Sequence, residues 1–236
     1  MPDQNIKQQK KERVRVMFND IAHRYDFLNH FLSLGIDIQW RKKVTRFLKP
    51  FQPKTILDVA TGTGDLAIEL NKLKPDTIVG IDIATDMLAI GDEKLKKKNI
   101  KNISLQQGDS EDIQFGDDSF DAVTVAFGVR NFENLQKGLS EMCRILKKDG
   151  HIAVLEFSKP KQFPFKQIYN AYFRYVLPGF GKLISKHNDA YTYLPESVQE
   201  FAEDTAFLNE MELAGFNDVK QKRLTFGIAT LYTGTK

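Results

Sequence analysis

The stretch that most restricts the fold of this chain is TILDVATGTGDLAIEL, residues 55–70. It begins as an apolar strand pattern, breaks into a loop that contains Gly62 and Gly64, and continues as a helix pattern. Glycines between a strand and a helix let the backbone turn tightly and approach a ligand closely. The stretch therefore predicts a strand, loop and helix unit with a ligand site at the loop.

The rest of the chain continues the alternation of strand and helix patterns. Apolar strands separated by helices predict a parallel sheet that is covered by helices on both faces. The last two strand patterns, NDVKQKRLTF and GIATLYTG, have almost nothing between them, which only an antiparallel connection allows. We expect an α/β fold with a seven-stranded, doubly wound, Rossmann-like sheet and an antiparallel C-terminal hairpin. This ending resembles methyltransferases more than dehydrogenases.

We expect residues 1–236 to form a single domain of the methyltransferase type. Helix patterns over residues 5–22 and 37–48 predict that residues 1–50 form a helical cap on the substrate side. Residues 159–214 are expected to form a helical, aromatic-rich insertion before the final hairpin. Its aromatic residues fit either core packing or a lid over a flat, apolar ring; they are Phe163, Phe165, Tyr169, Tyr172, Phe173, Tyr175 and Phe180.

Charge and composition restrict the partners. A net charge of +3 is too small to indicate nucleic-acid binding, and no apolar run approaches the ~18 residues of a membrane span. The single cysteine, Cys143, fits a cytoplasmic protein. Residues 1–15 and 159–186 are rich in basic side chains, which fit either a solvated face or an anionic membrane surface. We expect a cytoplasmic protein with peripheral contact at the inner face of the cell membrane and no nucleic-acid partner. A homo-oligomer is an open alternative.

Carboxylates near the glycine loop indicate which nucleotide binds there. Asp82 follows the second strand about 20 residues after the loop, where a carboxylate accepts hydrogen bonds from the ribose of a dinucleotide or of S-adenosylmethionine. Asp58 and Asp65 would repel a pyrophosphate, with nothing basic in the loop to offset them, but favour a sulfonium and an ammonium. Their structural alternative is a strand-end and a helix N-terminal role. After the third strand, Asp109 and Ser110 are expected at the adenine.

The motif AFGVRNFENL at the end of the fourth strand is the candidate catalytic segment. It places Arg130 and Asn131 beside the expected methyl donor, where a buried cation stabilises a developing oxyanion. The structural alternative is an ion pair between Arg130 and a neighbouring carboxylate. The Asn/Asp-Pro-Pro-aromatic turn of base-flipping methyltransferases is missing, which argues against a nucleic-acid substrate. The histidines lack metal-ligand spacing, so we predict no metal site.

The chain resembles the demethylmenaquinone and ubiquinone C-methyltransferase family from about Arg13 to Lys236. The segments RYDFLNHFLSLGIDIQWRKK, DVATGTGD, AFGVRNFEN, EFSKP and YTYLPESVQEF carry the resemblance, in this order. It implies an enzyme that uses S-adenosylmethionine to methylate a ring carbon of a polyprenylated quinol. It also implies the donor-binding residues Thr63, Asp82, Asp109 and Ser110, to which we add Gly62 and Gly64 of the loop.

One position favours the menaquinone branch of this family. Ubiquinone-type members often have serine before FG, whereas this chain has Ala126. The expected reaction is therefore demethylmenaquinol to menaquinol, the last step of menaquinone biosynthesis. The alternatives are the matching step of ubiquinone biosynthesis and, with less support, methylation of a nucleic acid or another small molecule. The group that takes the quinol proton stays open among four candidates: His23, Tyr25, Asp26 and Tyr193.

Overall fold

The computed structural model describes residues 3–33, 35–172 and 189–236. In these residues, seven strands form one sheet in the order β3-β2-β1-β4-β5-β7-β6. The strands are β1 (Thr55–Val59), β2 (Thr77–Asp82), β3 (Ile103–Gln107), β4 (Phe120–Ala126), β5 (Leu146–Phe157), β6 (Asn217–Leu224) and β7 (Ala229–Thr235).

The directions of the strands confirm the predicted architecture. Strands β1 to β5 pair in parallel, and β7 is antiparallel to both β5 and β6. All five parallel strands therefore end at one edge of the sheet, which we call the site edge, and ligands bind at this edge in open α/β sheets. Because β6 runs parallel to β5, the turn between β6 and β7 lies at the site edge as well.

Eight helices in the described part of the chain flank this sheet. They are α1 (Asp3–Leu32), α2 (Ile36–Leu48), α3 (Asp65–Leu70), α4 (Thr85–Lys97), α5 (Leu135–Ile145), α6 (Phe165–Ala171), α7 (Asp189–Glu200) and α8 (Thr205–Leu213). Helix α1 extends ten residues beyond the predicted end at residue 22, because neither glycine nor proline interrupts the sequence before Gly35. Gly35 then takes a left-handed conformation, φ 73°, and separates α1 from α2.

Two hydrophobic cores hold the helices against the sheet. In one core, Leu139 of α5 and Phe207 of α8 pack beneath β4 and β5. In the other, Trp40 and Leu48 of α2 pack on the opposite face with Leu70 of α3. Trp40 also donates a hydrogen bond of 2.8 Å to the hydroxyl of Thr225, so α2 is fastened to the C-terminal hairpin.

The predicted insertion is described in part. It contains α6, α7 and α8, whereas residues 173–188 lie outside the described residues, and with them Phe173, Tyr175 and Phe180 of the predicted lid. Tyr169 is buried, but Phe163 is 81% exposed. No helix in the described ranges is long and apolar enough to cross a membrane.

Candidate active site

A cleft of about 650 Å³, open to solvent, lies at the site edge above β1, β2 and β4. The loop after β1 and the residues after β2, β3 and β4 form its floor, and α1 covers it from the solvent side. Four side chains of α1 line the covering wall: Lys11, Val14, Phe18 and Tyr25. The predicted site residues Gly62, Asp82, Asp109, Ser110 and Asn131 all line this cleft.

Asp82 organises the glycine loop. One of its carboxylate oxygens accepts a hydrogen bond from the backbone N–H of Gly62, and the other accepts from Ala84, each at 2.8 Å. Burial raises the pKa of the Asp82 carboxyl, which these backbone donors oppose. Since each carboxylate oxygen has further lone pairs, both can still accept from ribose hydroxyls. Gly64 lines neither the cleft nor the smaller cavity beside it, but takes a left-handed conformation, φ 77°, that starts α3.

Asp109 and Ser110 follow β3 at the far end of the cleft. One oxygen of Asp109 accepts from the backbone N–H of Glu111 at 2.9 Å, and the other forms an ion pair with Lys11 of α1. An adenine amine that donates to Asp109 would therefore meet Lys11 at the same carboxylate.

Thr63 faces a network of charged side chains and lines the smaller cavity next to the cleft. Its hydroxyl donates to Asp26 at 2.5 Å and accepts from the amine of Lys94 at 3.0 Å. Lys94 also reaches Asp65 at 2.5 Å, and Arg41 lies 3.6 Å from the same carboxylate. The loop itself contains no basic residue, as the sequence shows, but cations from α4 and α2 offset the charge of Asp65.

Asp58 is a buried strand-end residue with 1% of its surface exposed. It accepts hydrogen bonds from the hydroxyls of Thr61 at 2.6 Å and Thr124 at 2.7 Å. Burial nevertheless raises the pKa of the Asp58 carboxyl to about 6. These contacts fit the structural alternative, but Asp58 also lines the smaller cavity, so its role toward a ligand stays a prediction.

Arg130 lies behind the cleft in a buried ion pair. Its Nη1 contacts Glu156 at 2.7 Å and the carbonyl of Phe127 at 2.5 Å, and its Nε lies 3.3 Å from the hydroxyl of Ser197. Burial raises the pKa of Glu156, which the charge of Arg130 opposes. The ion pair is the structural alternative that the sequence left open, and a catalytic role for Arg130 stays a prediction.

Asn131 is the member of the predicted catalytic pair that lines the cleft. Its side-chain oxygen accepts a hydrogen bond of 2.9 Å from the hydroxyl of Tyr193, so the amide nitrogen is left to donate. Burial raises the pKa of Tyr193 and of Tyr25, so both phenols stay protonated near neutral pH. Among the other proton acceptors considered, His23 is exposed and Asp26 is held by Thr63 and Lys94.

The sequence reasoning missed several charged residues around the site. They are Lys11, Arg41, Lys94 and Glu156, which come from elements far apart in the chain. Two of them carried a signal, because Arg41 and Glu156 belong to the quoted segments RYDFLNHFLSLGIDIQWRKK and EFSKP. The described residues contain no group of three or more His, Cys, Asp or Glu that could hold a metal ion.

Known proteins resemble this chain in sequence and in fold. A demethylmenaquinone methyltransferase of Bacteroides fragilis is 49% identical over 229 residues, which are 96% of this chain and 94% of the relative. A ubiquinone/menaquinone biosynthesis C-methyltransferase UbiE of Geobacter sulfurreducens is 46% identical, over 97% of this chain and 90% of the relative. The crystal structure of a SAM-dependent methyltransferase from Thermotoga maritima has the same fold, with a TM-score of 0.66 at 18% identity over 93% of this chain and 98% of that one.

The model of the ubiE/COQ5 methyltransferase family matches residues 5–236. This match covers the cap, the glycine loop, the segment after β4 and the C-terminal hairpin. The chain therefore belongs to the ubiE/COQ5 methyltransferase family.

Proposed function

We propose that this chain transfers the methyl group of S-adenosylmethionine to a ring carbon of demethylmenaquinol and so forms menaquinol. The observation that carries the proposal is the near-complete alignment with relatives named demethylmenaquinone methyltransferase, at 45–49% identity. The family and the fold imply S-adenosylmethionine as the methyl donor. The cleft fits this donor, since the carboxylates of Asp82 and Asp109 offer acceptors for its ribose and adenine and the loop at Gly62 allows close backbone approach.

The chemistry needs an electron-rich ring carbon in line with the sulfonium methyl. When a quinol hydroxyl shares or loses its proton, the ring carbon becomes nucleophilic and attacks the methyl carbon. The sulfur–methyl bond breaks with its electron pair on sulfur, and the ring carbon then releases its own proton, which restores the aromatic ring. The protein contributes mainly by orienting the ring and stabilising the developing phenolate.

We propose that the turn after β4 binds the quinol oxygen. The amide nitrogen of Asn131 donates to it directly, with Tyr193 fixing the orientation of the amide. Arg130 acts on the same oxygen through a water molecule, which leaves its pair with Glu156 intact. In support, none of the hydrogen bonds among described residues uses Nη2 of Arg130. Phe127 and Phe132, which line the same cleft, offer apolar surface to the ring.

A methyl-transfer assay with two acceptors tests the proposal. The full chain is supplied with labelled donor and with short-chain forms of demethylmenaquinol and of the ubiquinone precursor quinol. We expect demethylmenaquinol to be methylated at least about tenfold faster than the ubiquinone precursor, which is a benzoquinol. This ratio corresponds to a difference of about 1.4 kcal/mol in activation free energy. A preference for the benzoquinol would place the enzyme in the ubiquinone branch. Label in neither quinol would overturn the proposed acceptor.

We also propose that the enzyme meets its prenylated substrate at an anionic membrane surface. Three apolar side chains at the site edge are strongly exposed: Phe163 at 81%, Ile168 at 61% and Phe226 at 63%. We call these the apolar patch. Phe226 lies in the turn between β6 and β7 and stacks on Phe165 with ring centroids 3.7 Å apart, while Lys161 and Lys166 lie on the same segment as Phe163. Apolar side chains next to basic ones suit an interfacial contact with anionic lipid.

A further inference from the structure

A smaller cavity opens beside the cleft, between α2, the glycine loop and the end of β4. Five residues line both spaces, which therefore adjoin each other: Tyr25, Ala60, Gly62, Ala126 and Phe127. The remaining wall of the smaller cavity is polar and includes Arg41, Thr63 and Asp65. None of the predicted site residues explains why a cation and a carboxylate are placed there together.

Arg41 and Asp65 form an incomplete ion pair. Arg41 is only 7% exposed, and its Nη1 contacts Asp37 at 2.5 Å. Its Nη2, by contrast, lies 3.6 Å from the nearest oxygen of Asp65, which is longer than a normal hydrogen bond. The same oxygen of Asp65 lies 3.7 Å from His30. A buried donor and a partly exposed acceptor thus line the same cavity without a short contact between them.

Other residues hold both groups in place. Asp37, which orients the guanidinium of Arg41, also accepts from the hydroxyl of Ser33 at 2.6 Å and contacts the ring of His30 at 2.8 Å. Lys94 contacts the other oxygen of Asp65 at 2.5 Å. The pair is therefore supported by neighbouring side chains, while Nη2 of Arg41 and the second oxygen of Asp65 lie no closer to each other than 3.6 Å.

The order of the strands identifies which part of the donor reaches this cavity. Asp109 and Ser110 lie after β3, Asp82 lies at the end of β2, and the loop at Gly62 follows β1. With neighbouring strands ~4.8 Å apart, an adenine at β3 and a ribose at β2 direct the amino-acid group of the donor toward β1 and the smaller cavity. That group is a zwitterion, with one carboxylate and one ammonium.

We propose that Arg41 binds the α-carboxylate of the methyl donor and that Asp65 accepts from its α-ammonium. Nη2 of Arg41 offers a charge-assisted donor, and the second oxygen of Asp65 offers an acceptor beside it. The two groups lie side by side, 3.6 Å apart, so the carboxylate and the ammonium of one amino-acid group can each contact the opposite charge. The inference rests on the proposed donor but not on the proposed quinol.

Calorimetry with two ligands tests this assignment on the full chain. S-adenosylhomocysteine carries the amino-acid group, whereas 5′-methylthioadenosine lacks it and keeps the adenosine. We expect Arg41→Gln to weaken S-adenosylhomocysteine about tenfold or more and to leave 5′-methylthioadenosine within about twofold. Arg41→Lys should recover part of the loss, because it restores the charge without the planar fork. Arg46→Gln, an exposed position on the same helix, is the matched control and should change neither affinity.

A ligand-side comparison on the unmodified protein covers the case in which Arg41→Gln does not fold. S-adenosylhomocysteine should bind about tenfold or more tightly than its decarboxylated analogue, which keeps the amine. Equal affinities for these two ligands would overturn the proposal. An equal loss of S-adenosylhomocysteine and 5′-methylthioadenosine in Arg41→Gln would also overturn it and leave Arg41 as a structural tie between α2 and α3. No quinol enters these measurements, so failure of the proposed acceptor would not affect them.

Discussion

Asp58 is a buried carboxylate whose surroundings oppose its charge. It lies at the end of β1 with 1% exposure, and two hydroxyls are its hydrogen-bond donors. Burial raises the pKa of its carboxyl from the ordinary value of 3.8 to about 6. The folded state therefore favours the protonated form, and this contribution to stability is present below about pH 4 and lost as the pH rises through about 6.

The substitution Asp58→Asn should remove this pH dependence, because the amide does not ionise. At about 1.4 kcal/mol per pH unit, the free energy of unfolding of the unmodified protein should fall by about 3 kcal/mol relative to the variant between about pH 4 and pH 7. Urea unfolding at several pH values in this range measures the difference. Asp112→Asn, at an exposed position, should show no such trend. A constant difference between unmodified protein and Asp58→Asn would mean that Asp58 ionises normally in the folded state.

Variants at Arg130 and Glu156 can distinguish a structural role of Arg130 from a catalytic one. Arg130→Met leaves Glu156, which has no exposed surface, as an unpaired buried charge, and should lower the free energy of unfolding by about 3–5 kcal/mol. Adding Glu156→Gln removes that charge and should restore most of the stability. If Arg130 stabilises the phenolate, the double variant should still turn over about 10²-fold more slowly, with donor affinity nearly unchanged.

Denaturant unfolding and single-turnover methyl transfer on the same three proteins distinguish these roles. Recovery of both stability and turnover in the double variant would assign Arg130 to structure alone.

At the scale of the element, helix α1 covers the cleft that we propose binds the methyl donor. Its residue Lys11 pairs with Asp109, the expected acceptor for the adenine amine, and both side chains are about one-third exposed. Such an exposed pair is worth at most about 1 kcal/mol, but a bound adenine would have to separate it. We therefore expect the ion pair to compete with the proposed donor, while other side chains of α1 line the same cleft with apolar surface.

Lys11→Met should accordingly raise donor affinity about two- to fivefold at low salt, and the gain should shrink as salt screens the pair. Isothermal titration with S-adenosylhomocysteine at two ionic strengths measures this. Lys10→Met is the control, since Lys10 donates to the carbonyl of Phe132 at 3.1 Å and pairs with no described carboxylate. A lower affinity in Lys11→Met would mean that Lys11 helps to bind the donor and that Asp109 does not accept from the adenine.

Sequence alone predicts a helix or strand where one short local pattern is compatible with few structures. The glycine loop between β1 and α3 and the short connection before β7 allow few alternatives, so the sheet and its antiparallel ending follow from the sequence. The position of Asp82 at the cleft follows for the same reason, because strand ends share one edge. The partners of Asp65 and Arg130 do not follow, since Lys94 and Glu156 meet them only after α4 and β5 pack. The local pattern of residues along one sequence does not reveal which charged side chains will be in contact in the folded protein.

At the scale of the whole molecule, the residues proposed for the donor, the quinol and the membrane follow one another across the sheet, from β3 to β6. Donor residues lie after β3, β2 and β1, the segment with Asn131 follows β4, and the apolar patch lies beyond β5 and in the turn between β6 and β7. The backbone N–H of Ser158, just after β5, donates to the carbonyl of Ile228 at 2.9 Å, which fixes this turn against the end of β5. A substrate that arrives at the patch would therefore enter from the acceptor side of the cleft.

Binding to lipid vesicles tests this arrangement as a property of the entire protein. If the apolar patch inserts and the nearby lysines contact headgroups, co-sedimentation should rise with anionic lipid and fall with salt, at about 1 kcal/mol for each basic residue near the surface. Phe163→Ser with Phe226→Ser should weaken binding about tenfold or more, since burying a large apolar side chain contributes about 1.5–3 kcal/mol. Turnover of a long-chain quinol should fall in parallel, whereas turnover of a short-chain quinol should not.

The matched control for the patch is Leu213→Ser. Leu213 is 75% exposed but ends α8 near the start of β6, at the opposite edge of the sheet, so its replacement should leave vesicle binding unchanged. Lys161→Glu with Lys166→Glu should remove the preference for anionic lipid while leaving the apolar contribution. Equal pelleting with neutral and anionic vesicles at low and high salt, or equal effects at Leu213 and at the patch, would show that the site edge does not face the bilayer. The prenylated quinol would then have to reach the cleft by a route that does not use this surface.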